Sequence, residues 1–407
     1  MKSLSCIFDN KIIVMSWKGL NSVTGPVAEG RKYFRRKYYE DKLWIEINKG
    51  SHILLLAPRR LGKSSIVKFM ERNPNKFFVC VYSDIESDTS INEFYKRMCS
   101  MIAKALSKGA KTKHLIAEWK KTWKLTSLTF EGGATFDTKE VDFRERFFKM
   151  LADLSKLDEK VVLFLDEFPD VIAKIAKNHG SIEAENLLDD LRRLRSERKF
   201  KNNFVLVLLG SIGLNHVVKK LSGRIDKVND LHRIYLKPLE LNELYDFLDH
   251  LTDGASMELT QNEADYIKDK VVHLIPYYLQ ILLAECDDIL MRANRPKLTL
   301  EDVDQAYINL LDKHDHFTDW FDRLKKYFPK KHLYLREVMS NAANPSGISI
   351  QEIYNLSVLH GTEETYKIDV DDILVADGYL TEDGGRFYFN SPLLRDWWSK
   401  RDPIRTT

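Results

Sequence analysis

The chain has 407 residues, a length that corresponds to roughly two to three domains at about 150 residues each. Its hydrophobic fraction of 44% allows a sizeable core and excludes a mostly disordered chain. Lys and Arg number 63 against 60 Asp and Glu, so the net charge is only +3. This balance argues against a dedicated nucleic-acid coat protein, although a local basic patch remains compatible with it.

Cysteine spacing and hydropathy narrow the class of protein further. The four cysteines are scattered through the chain and form no CxxC pair, so we expect neither a zinc site nor a disulfide framework. The amino-terminal segment has no long apolar core, which argues against a signal peptide. No run of about 18 apolar residues is present, so we expect no membrane span and a cytoplasmic protein.

Short apolar runs and amphipathic stretches alternate over the first half of the chain. The apolar runs are typical of strands buried on both faces, and they cover residues 52–57, 77–82, 161–165 and 204–209. The stretches between them have helical periodicity, for example at 64–71, 91–106 and 182–198. Strands of this kind alternating with helices predict an α/β fold, a parallel sheet with helices on both faces.

The pattern changes after residue 236. Four helices are predicted at 242–251, 261–272, 276–291 and 300–311, and together they form a small helical lid. From residue 317 onward, three predicted helices precede a hairpin that turns at Asp383-Gly384-Gly385, which is the outline of a winged helix. We therefore predict four parts: an N-terminal arm at 1–40, an α/β domain at 41–236, the lid at 237–315 and a winged-helix domain at 316–407.

A phosphate-binding motif follows the first predicted strand. Except that alanine replaces the first glycine, G-x-x-x-x-G-K-[ST] fits the run Ala57-Pro58-Arg59-Arg60-Leu61-Gly62-Lys63-Ser64. Backbone N–H groups of this loop and of the next helix, which includes Ser65, would surround phosphates. Lys63 would contact the β- and γ-phosphates of ATP, and the Ser64 hydroxyl would ligate Mg²⁺. The alternative is a Gly-Lys-Ser sequence at an ordinary helix start.

Two carboxylates end the apolar run at 161–165. Asp166 and Glu167 would lie at the carboxyl edge of the sheet, where parallel α/β sheets bind their ligands. Asp166 would hold Mg²⁺ through water, and Glu167 would polarise the water that attacks the γ-phosphate. Ser211 ends the next apolar run and would contact the γ-phosphate or that water as a sensor. The alternatives are a strand end that meets solvent and a serine that starts a loop.

These motifs together resemble the archaeal-type ATPase family of STAND-group P-loop NTPases (MNS clade), relatives of the AAA+ and origin-recognition ATPases. Besides the phosphate loop, the resemblance rests on 166–169 (Asp-Glu-Phe-Pro), Gly210-Ser211, 275–280 (Ile-Pro-Tyr-Tyr-Leu-Gln) and 387–398, the last resembling the end of the family's winged helix. It implies a P-loop NTPase fold with a helical lid and a C-terminal winged helix. It also implies ATP and Mg²⁺ as cofactors.

The resemblance implies roles for further residues. Arg224 matches a basic position before the last strand of the sheet and would contact phosphate. Pro276 lies where the helical lid approaches the nucleotide. Two departures from the family's pattern stand out. Ala57 replaces a glycine, and the run 33–36 (Tyr-Phe-Arg-Arg) replaces an aromatic-Gly-Arg segment that borders the adenine, where an aromatic ring of this run would stack instead.

The function that follows is a slow, Mg²⁺-dependent ATPase that acts as a switch. ATP would lie between sheet and lid and set the position of the winged helix, and the output would reach a protein partner or a second copy of the chain. One alternative is a DNA-associated ATPase similar to origin-recognition proteins, and another is an ATP-binding scaffold without turnover. The predicted third helix of the winged helix presents Asp369, Asp371 and Asp372, which opposes DNA contact. Lysine-aromatic clusters at 104–124 and 323–332 would be able to grip a phosphate backbone, but the alternative, amphipathic helices with core aromatics and solvated lysines, is favoured.

Overall fold

The computed structural model describes residues 16–107, 113–123, 127–129, 133–135, 142–154, 157–197, 200, 204–210, 217–218, 227–313 and 316–401. Its first half holds a β-sheet with flanking helices. In chain order the elements are α1 (Lys37–Lys49), β1 (Ile53–Leu56), α2 (Lys63–Arg72), β2 (Phe78–Asp84), α3 (Ile91–Ser107), α4 (Lys113–Trp123), β3 (Ser127–Thr129), β4 (Gly133–Thr135), α5 (Phe143–Asp153), β5 (Lys160–Asp166), α6 (Phe168–His179), α7 (Ser181–Ser196), β6 (Phe204–Gly210) and β7 (His232–Tyr235).

The main sheet has five parallel strands in the order β2–β5–β6–β1–β7. The strand β1 lies between β6 and β7, and its Leu56 is in register with Gly210 of β6 and with Tyr235 of β7. At the other side of the sheet, Asp84 of β2 is in register with Asp166 of β5. The carboxyl ends of the strands therefore meet at one edge, from which the phosphate loop and the acidic pair project.

Alternate residues of the strands enter two different hydrophobic cores. Leu54 and Leu56 of β1 pack in a core built with α3, α5, α6 and α7, whereas Ile53 and Leu55 pack in a core that includes α1 and α2. Because side chains alternate along a strand, helices on both faces require apolar residues at every position. The predicted parallel sheet with helices on both faces is confirmed. The strand β7 (His-Arg-Ile-Tyr) is not revealed by the apolar pattern, since Ile234 is the one buried residue among its four.

Within the described residues from 241 to 312 the chain is helical, as predicted. The helices are α8 (Leu241–Thr252), α9 (Gln261–Val271), α10 (Pro276–Ala293) and α11 (Leu300–Asp312). Three of them start at capping boxes, whose first residues are Glu240, Thr260 and Thr299. The exception, α10, starts at Pro276, where proline sacrifices no helical hydrogen bond. Among the described helices, none has both the length and the apolar surface that a membrane crossing requires.

The C-terminal unit combines helices with a small antiparallel sheet. Its elements are α12 (Thr318–Tyr327), α13 (His332–Ala342), β8 (Ile348–Ser349), α14 (Ile350–Leu359), α15 (Tyr366–Asp369), a π-helical stretch (Val370–Val375), β9 (Leu380–Asp383), β10 (Arg386–Phe389) and α16 (Pro392–Arg401). The strand order is β8–β10–β9, and the β9–β10 hairpin turns at Gly384-Gly385 as predicted. The elements follow the predicted outline, while the winged-helix assignment and the four domain boundaries stay predictions.

The predicted acidic helix of this unit differs from its expectation. A single helix was expected at 366–376, but the chain forms the short α15 and then the π-helical stretch. Asp369 is only 1% exposed, and its carboxylate accepts hydrogen bonds from Lys331 at 2.7 Å and from Thr365 at 2.8 Å. The expectation that Asp369 belongs to an acidic surface is therefore wrong, because a buried carboxylate needs partners and this one has them inside the fold.

One hydrophobic core joins all of these parts. The core on the α1–α2 face of the sheet continues through the lid helices into the C-terminal unit, where it includes the fully buried Trp398 of α16. Leu282 of α10 and Phe317, just before α12, lie in the same core and are also fully buried. The lid and the C-terminal unit are thus held against the same sheet face that supports the phosphate loop.

Candidate active site

The loop between β1 and α2 borders a cavity of about 350 Å³ at the carboxyl edge of the sheet. Gly62 has a φ of +90°, a conformation that favours glycine. Ala57 is buried and is not among the residues with positive φ, so alanine replaces the first glycine of the motif without backbone strain. Since α2 begins at Lys63, the N–H groups that lack an acceptor within the helix lie at the cavity wall, beside Ser64.

Lys63 is the cation of the site. Its side chain is buried, and Nζ donates hydrogen bonds to the carbonyl oxygens of Ala57 at 3.0 Å and Pro58 at 3.5 Å. Burial lowers the pKa of Lys63. The carboxylates of Glu167 and Asp166 oppose this shift and favour the charged form. Through its two hydrogen bonds the ammonium group binds carbonyl oxygens of its own loop, and from this conformation the side chain can extend to an anion in the cavity.

The two arginines of the loop have partners within the site. A guanidinium nitrogen of Arg59 lies 3.8 Å from a carboxylate oxygen of Glu167. Arg60 has a φ of +69°, which is unusual for a residue with a Cβ, and its guanidinium lies 4.4 Å from the centre of the Tyr277 ring. Arg59 thus bridges the loop to the acidic strand, and Arg60 bridges it to helix α10.

Ser64 and Asp166 are hydrogen-bonded to each other across the site. The Ser64 hydroxyl donates to Oδ2 of Asp166 at 2.5 Å, and the hydroxyl of Tyr82 donates to the same oxygen at 2.9 Å. The other oxygen, Oδ1, accepts the N–H of Glu167 at 3.0 Å. The Asp166 side chain is only 3% exposed, so its orientation is fixed by these three donors. A hydroxyl and a carboxylate in contact at a helix start form an oxygen-ligand pair of the kind that Mg²⁺ binds.

Glu167 occupies an unusual position between β5 and α6. Its φ of +55° is rare for a residue with a Cβ, and strained residues of this type cluster at functional sites. Burial, and next the negative charge of Asp166, raises the pKa of Glu167 to about 7, while the positive charge of Arg59 opposes the rise. Its carboxyl group can therefore gain or lose a proton near neutral pH, as a general base must.

The described part of the N-terminal arm completes the cavity. The N–H of Val23 donates to Oε1 of Gln280 in α10 at 2.7 Å, and the N–H of Ala28 donates to Oγ of Ser65 in α2 at 3.2 Å. The segment 23–28 consequently lies between the phosphate-loop helix and the lid, and it lines the cavity. The sequence pattern gives no sign of these contacts, because the segment has no periodicity.

The aromatic pair of the arm also borders the cavity. Tyr33 is 7% exposed, its hydroxyl donates to Glu40 at 3.0 Å, and its ring centre lies 5.1 Å from that of Phe69. Phe34 is less buried and makes an edge contact with Phe247 at 5.1 Å. Because the Tyr33 ring is committed to the core, Phe34 is the better candidate for the predicted stacking, which stays a prediction.

The lid contributes Pro276 and Tyr277 from the first turn of α10, and both line the cavity. The predicted residues Arg59 to Ser65, Asp166 and Glu167 line it too, whereas the predicted Ala57 and Pro58 are not among the residues that line it. Their roles in binding and catalysis stay predictions. Ser211 and Arg224 lie outside the described residues. Two further wall residues, Tyr82 and Asp84 at the end of β2, were not predicted, since one strand end among several carries no motif.

The C-terminal unit touches the phosphate loop directly. Gly378 has a φ of +87°, and a Cβ atom on it would lie 2.6 Å from Cβ of Pro58, which is closer than atoms can approach. The preceding residue, Asp377, is 7% exposed, and its Oδ1 has no hydrogen-bond partner within the described part of the chain. Like the carboxylates of Glu167 and Asp166, the Asp377 carboxylate opposes the lowering of the Lys63 pKa by burial. This carboxylate therefore acts on the cation of the phosphate loop.

Comparison with solved structures identifies the class of fold. A Walker-type ATPase of Pyrococcus abyssi shares 17% identity and aligns over 92% of this chain and 98% of its own, with a TM-score of 0.61. The ORC2 protein of Aeropyrum pernix, solved as complexes with ADPNP and ADP, shares 13% identity over 90% of this chain and 93% of its own, with a TM-score of 0.53. The chain therefore has the P-loop NTPase fold of these two proteins. No protein-family model matches the sequence, and no curated protein matches it either.

We predict that Glu167→Gln becomes more stable relative to the wild type as the pH rises. Because the pKa of Glu167 in the folded protein is about 7, above its ordinary value of 4.5, the protonated carboxyl stabilises the fold at low pH, and this contribution is lost as the pH rises through about 7. Glutamine does not ionise. Thermal unfolding from about pH 5 to about pH 8 measures the difference, with the exposed Glu364→Gln as control. A difference in stability that is independent of pH would contradict the prediction.

Proposed function

We propose that this chain is an ATP-binding and slowly hydrolysing switch of the STAND type, in which the nucleotide state sets the position of the C-terminal unit. The observation that carries the proposal is the convergence of Lys63, Ser64, Asp166 and Glu167 on one cavity. These residues are the cation, the hydroxyl and the two carboxylates that phosphoanhydride hydrolysis requires. The fold that the chain shares with the Walker-type ATPase and with the ORC2 protein solved with ADPNP and ADP is consistent with the proposal.

The residues present fit ATP with Mg²⁺. The N–H groups at the start of α2 and the Lys63 ammonium face the cavity and would bind the β- and γ-phosphates. Ser64 and Asp166 already lie in contact and would hold Mg²⁺, Asp166 through water. When bound, Mg²⁺ supplies positive charge that stabilises the charge developing on the transferred phosphoryl group. Phe34, Pro276 and the segment 23–28 would surround the base.

Hydrolysis would depend on Glu167. Its carboxylate would accept a proton from the attacking water or orient it, and a pKa near 7 keeps a large part of it ionised at neutral pH. Arg59, 3.8 Å away, favours that ionised form. In the same proposal Ser211, at the end of an apolar run, would sense the γ-phosphate, and Arg224 would contact phosphate, a role that comes from the family resemblance alone.

We predict that Lys63→Ala abolishes both ATP binding and turnover. Glu167→Gln should still bind ATP, because the phosphate loop is intact, while its turnover falls by about 10²–10⁴-fold as expected for loss of a general base. Binding of a fluorescent ATP analogue and Mg²⁺-dependent phosphate release are the measurements. Lys96→Ala, at an exposed position of α3, is the matched control. Nucleotide binding and turnover that persist in Lys63→Ala would refute the proposal as a whole.

The coupling to the C-terminal unit rests on the contact at Asp377 and Gly378. The charge of the Asp377 carboxylate acts on Lys63, and bound phosphate would act on the same cation, since both groups are anions. The Gly378 backbone meanwhile lies against Pro58 so closely that no side chain fits between them. Phosphates in the loop would repel Asp377, and the C-terminal unit would move away from the loop as a consequence. In this way the nucleotide state would set its position.

We predict that Asp377→Asn binds ATP more tightly than the wild type. Removing the negative charge relieves the competition for Lys63, and a gain of roughly 5–150-fold in affinity is the usual range for coupling between two states. Asp371→Asn, in the π-helical stretch that precedes Asp377 and paired with Lys367 on the surface, is the control. Equilibrium titration with a fluorescent ATP analogue gives both affinities. If Asp377→Asn binds equally or more weakly, the proposed coupling is refuted while the ATPase proposal stands.

A protein partner, or a second copy of the chain, would receive the output. Helix α14 of the C-terminal unit exposes three apolar side chains, Tyr354, Val358 and Leu359, which are 40%, 51% and 78% exposed. Apolar side chains grouped on one exposed helix are typical of surfaces that contact other proteins. This surface would move with the C-terminal unit, so a protein bound to it would respond to the nucleotide state.

The alternative function, a DNA-associated ATPase, receives less support from the basic clusters. Trp119 in the cluster at 104–124 is 1% exposed, and its Nε1 donates to Asp153 at 3.0 Å, so its ring belongs to the core and does not stack bases. In the cluster at 323–332, Lys331 is bound to Asp369. Lys108, Lys111 and Lys124 lie outside the described residues.

We predict no detectable binding to duplex DNA at low salt. The measurement is fluorescence anisotropy with labelled DNA over a series of salt concentrations. Phosphate contacts by lysines would produce an affinity whose logarithm falls linearly with the logarithm of salt concentration. Such a steep fall would favour the alternative, and its loss in a Lys325→Glu, Lys330→Glu double variant, both exposed lysines, would locate the contact.

A further inference from the structure

The end of strand β2 carries a residue that the proposed mechanism does not use. Tyr82 borders the cavity, and its hydroxyl donates to Oδ2 of Asp166 at 2.9 Å. That oxygen is the one that also accepts the Ser64 hydroxyl. The pairing follows from the sheet, because β2 and β5 are neighbours and Tyr82 lies two residues before the position in register with Asp166.

Helix α2 holds Tyr82 from a second side. Ser64, Lys68 and Glu71 lie on one face of this helix, since they are four and then three residues apart. Glu71 Oε1 accepts the backbone N–H of Tyr82 at 2.9 Å, and Lys68 Nζ lies 5.0 Å from the centre of the tyrosine ring. Because β2 is at the edge of the described sheet, Glu71 supplies an acceptor that a neighbouring strand would otherwise provide.

We propose that Tyr82 is a positioning residue that fixes the metal-binding orientation of Asp166. The inference rests on the proposed function, in which Ser64 and Asp166 hold Mg²⁺. If Ser64 ligated a metal through a lone pair, its O–H could still donate to Oδ2, and Tyr82 would be the second side-chain donor that holds this oxygen in place. Asp166 then keeps the orientation that it has before metal arrives, so no carboxylate rotation accompanies binding.

The properties of Tyr82 suit this role. A tyrosine hydroxyl ordinarily keeps its proton at neutral pH, and a carboxylate can only accept, so the Tyr82 hydroxyl donates to Asp166. Donors that hold a metal-ligating carboxylate typically contribute 10–100-fold to metal affinity. Binding of the nucleotide without metal depends on the loop and Lys63, and Tyr82 contacts neither of them in the described structure.

The test is Tyr82→Phe, which keeps the ring and removes only the hydroxyl. Its matched control is Tyr307→Phe, because the Tyr307 hydroxyl also donates to an aspartate, Asp396 at 2.7 Å, away from the cavity. Electron paramagnetic resonance of free Mn²⁺ measures metal affinity in the presence of a non-hydrolysable ATP analogue. Titration with a fluorescent ATP analogue in EDTA measures nucleotide affinity without metal, and thermal unfolding measures the cost in stability.

We expect Mn²⁺ affinity to fall by about 10–100-fold in Tyr82→Phe and to be unchanged in Tyr307→Phe. Nucleotide affinity in EDTA should be the same in all three proteins, and saturating Mg²⁺ should restore the turnover of Tyr82→Phe. Equal Mn²⁺ affinities for Tyr82→Phe and wild type would overturn the role of Tyr82 and leave the proposed ATPase intact. A wild type that binds nucleotide but no Mn²⁺ would overturn both.

Discussion

The hydrogen bond between Ser64 and Asp166 is the interaction on which the site depends. It joins the first turn of α2 to the end of β5, two elements that are separated along the chain by α3 to α5. The contact is possible because β1 and β5 are parallel, so both end at the same edge of the sheet. Hydrophobic cores on both faces hold the two strands and thereby fix the distance between serine and carboxylate.

Every other wall of the cavity is arranged around that bond. The N-terminal segment 23–28 binds α2 and α10 through backbone N–H groups, and α10 brings Pro276 and Tyr277 to the loop. Asp377 and Gly378 approach the loop from the C-terminal unit. The cavity therefore combines residues of the N-terminal arm, the α/β sheet and the lid, and the C-terminal unit lies against the loop at Pro58. A change in the conformation of the loop would alter its contacts with the N-terminal segment, with α10 and with the C-terminal unit.

The sequence predicts the parts of this site that depend on local pattern. The phosphate loop and the acidic pair are found from short motifs, and the parallel arrangement of the strands is found from the apolar runs. Asp377, Tyr82 and Gln280 could not be found in this way, because their roles arise from tertiary contacts with no local signature. Asp369 shows the opposite error: its charge suggested a surface residue, but Lys331 and Thr365 satisfy it inside the fold.

In the proposed switch, the contact between Gly378 and Pro58 would couple the C-terminal unit thermodynamically to the nucleotide. Coupling between two sites is reciprocal, so if ATP weakens the docking of this unit, whatever weakens the docking strengthens ATP binding by the same factor. A protein that binds helix α14 and prevents the C-terminal unit from docking on the loop would then promote nucleotide binding without contacting the nucleotide. The binding partner would then promote nucleotide loading as well as receive the output of the switch. Both effects would depend on the approach of Asp377 and Gly378 to the loop.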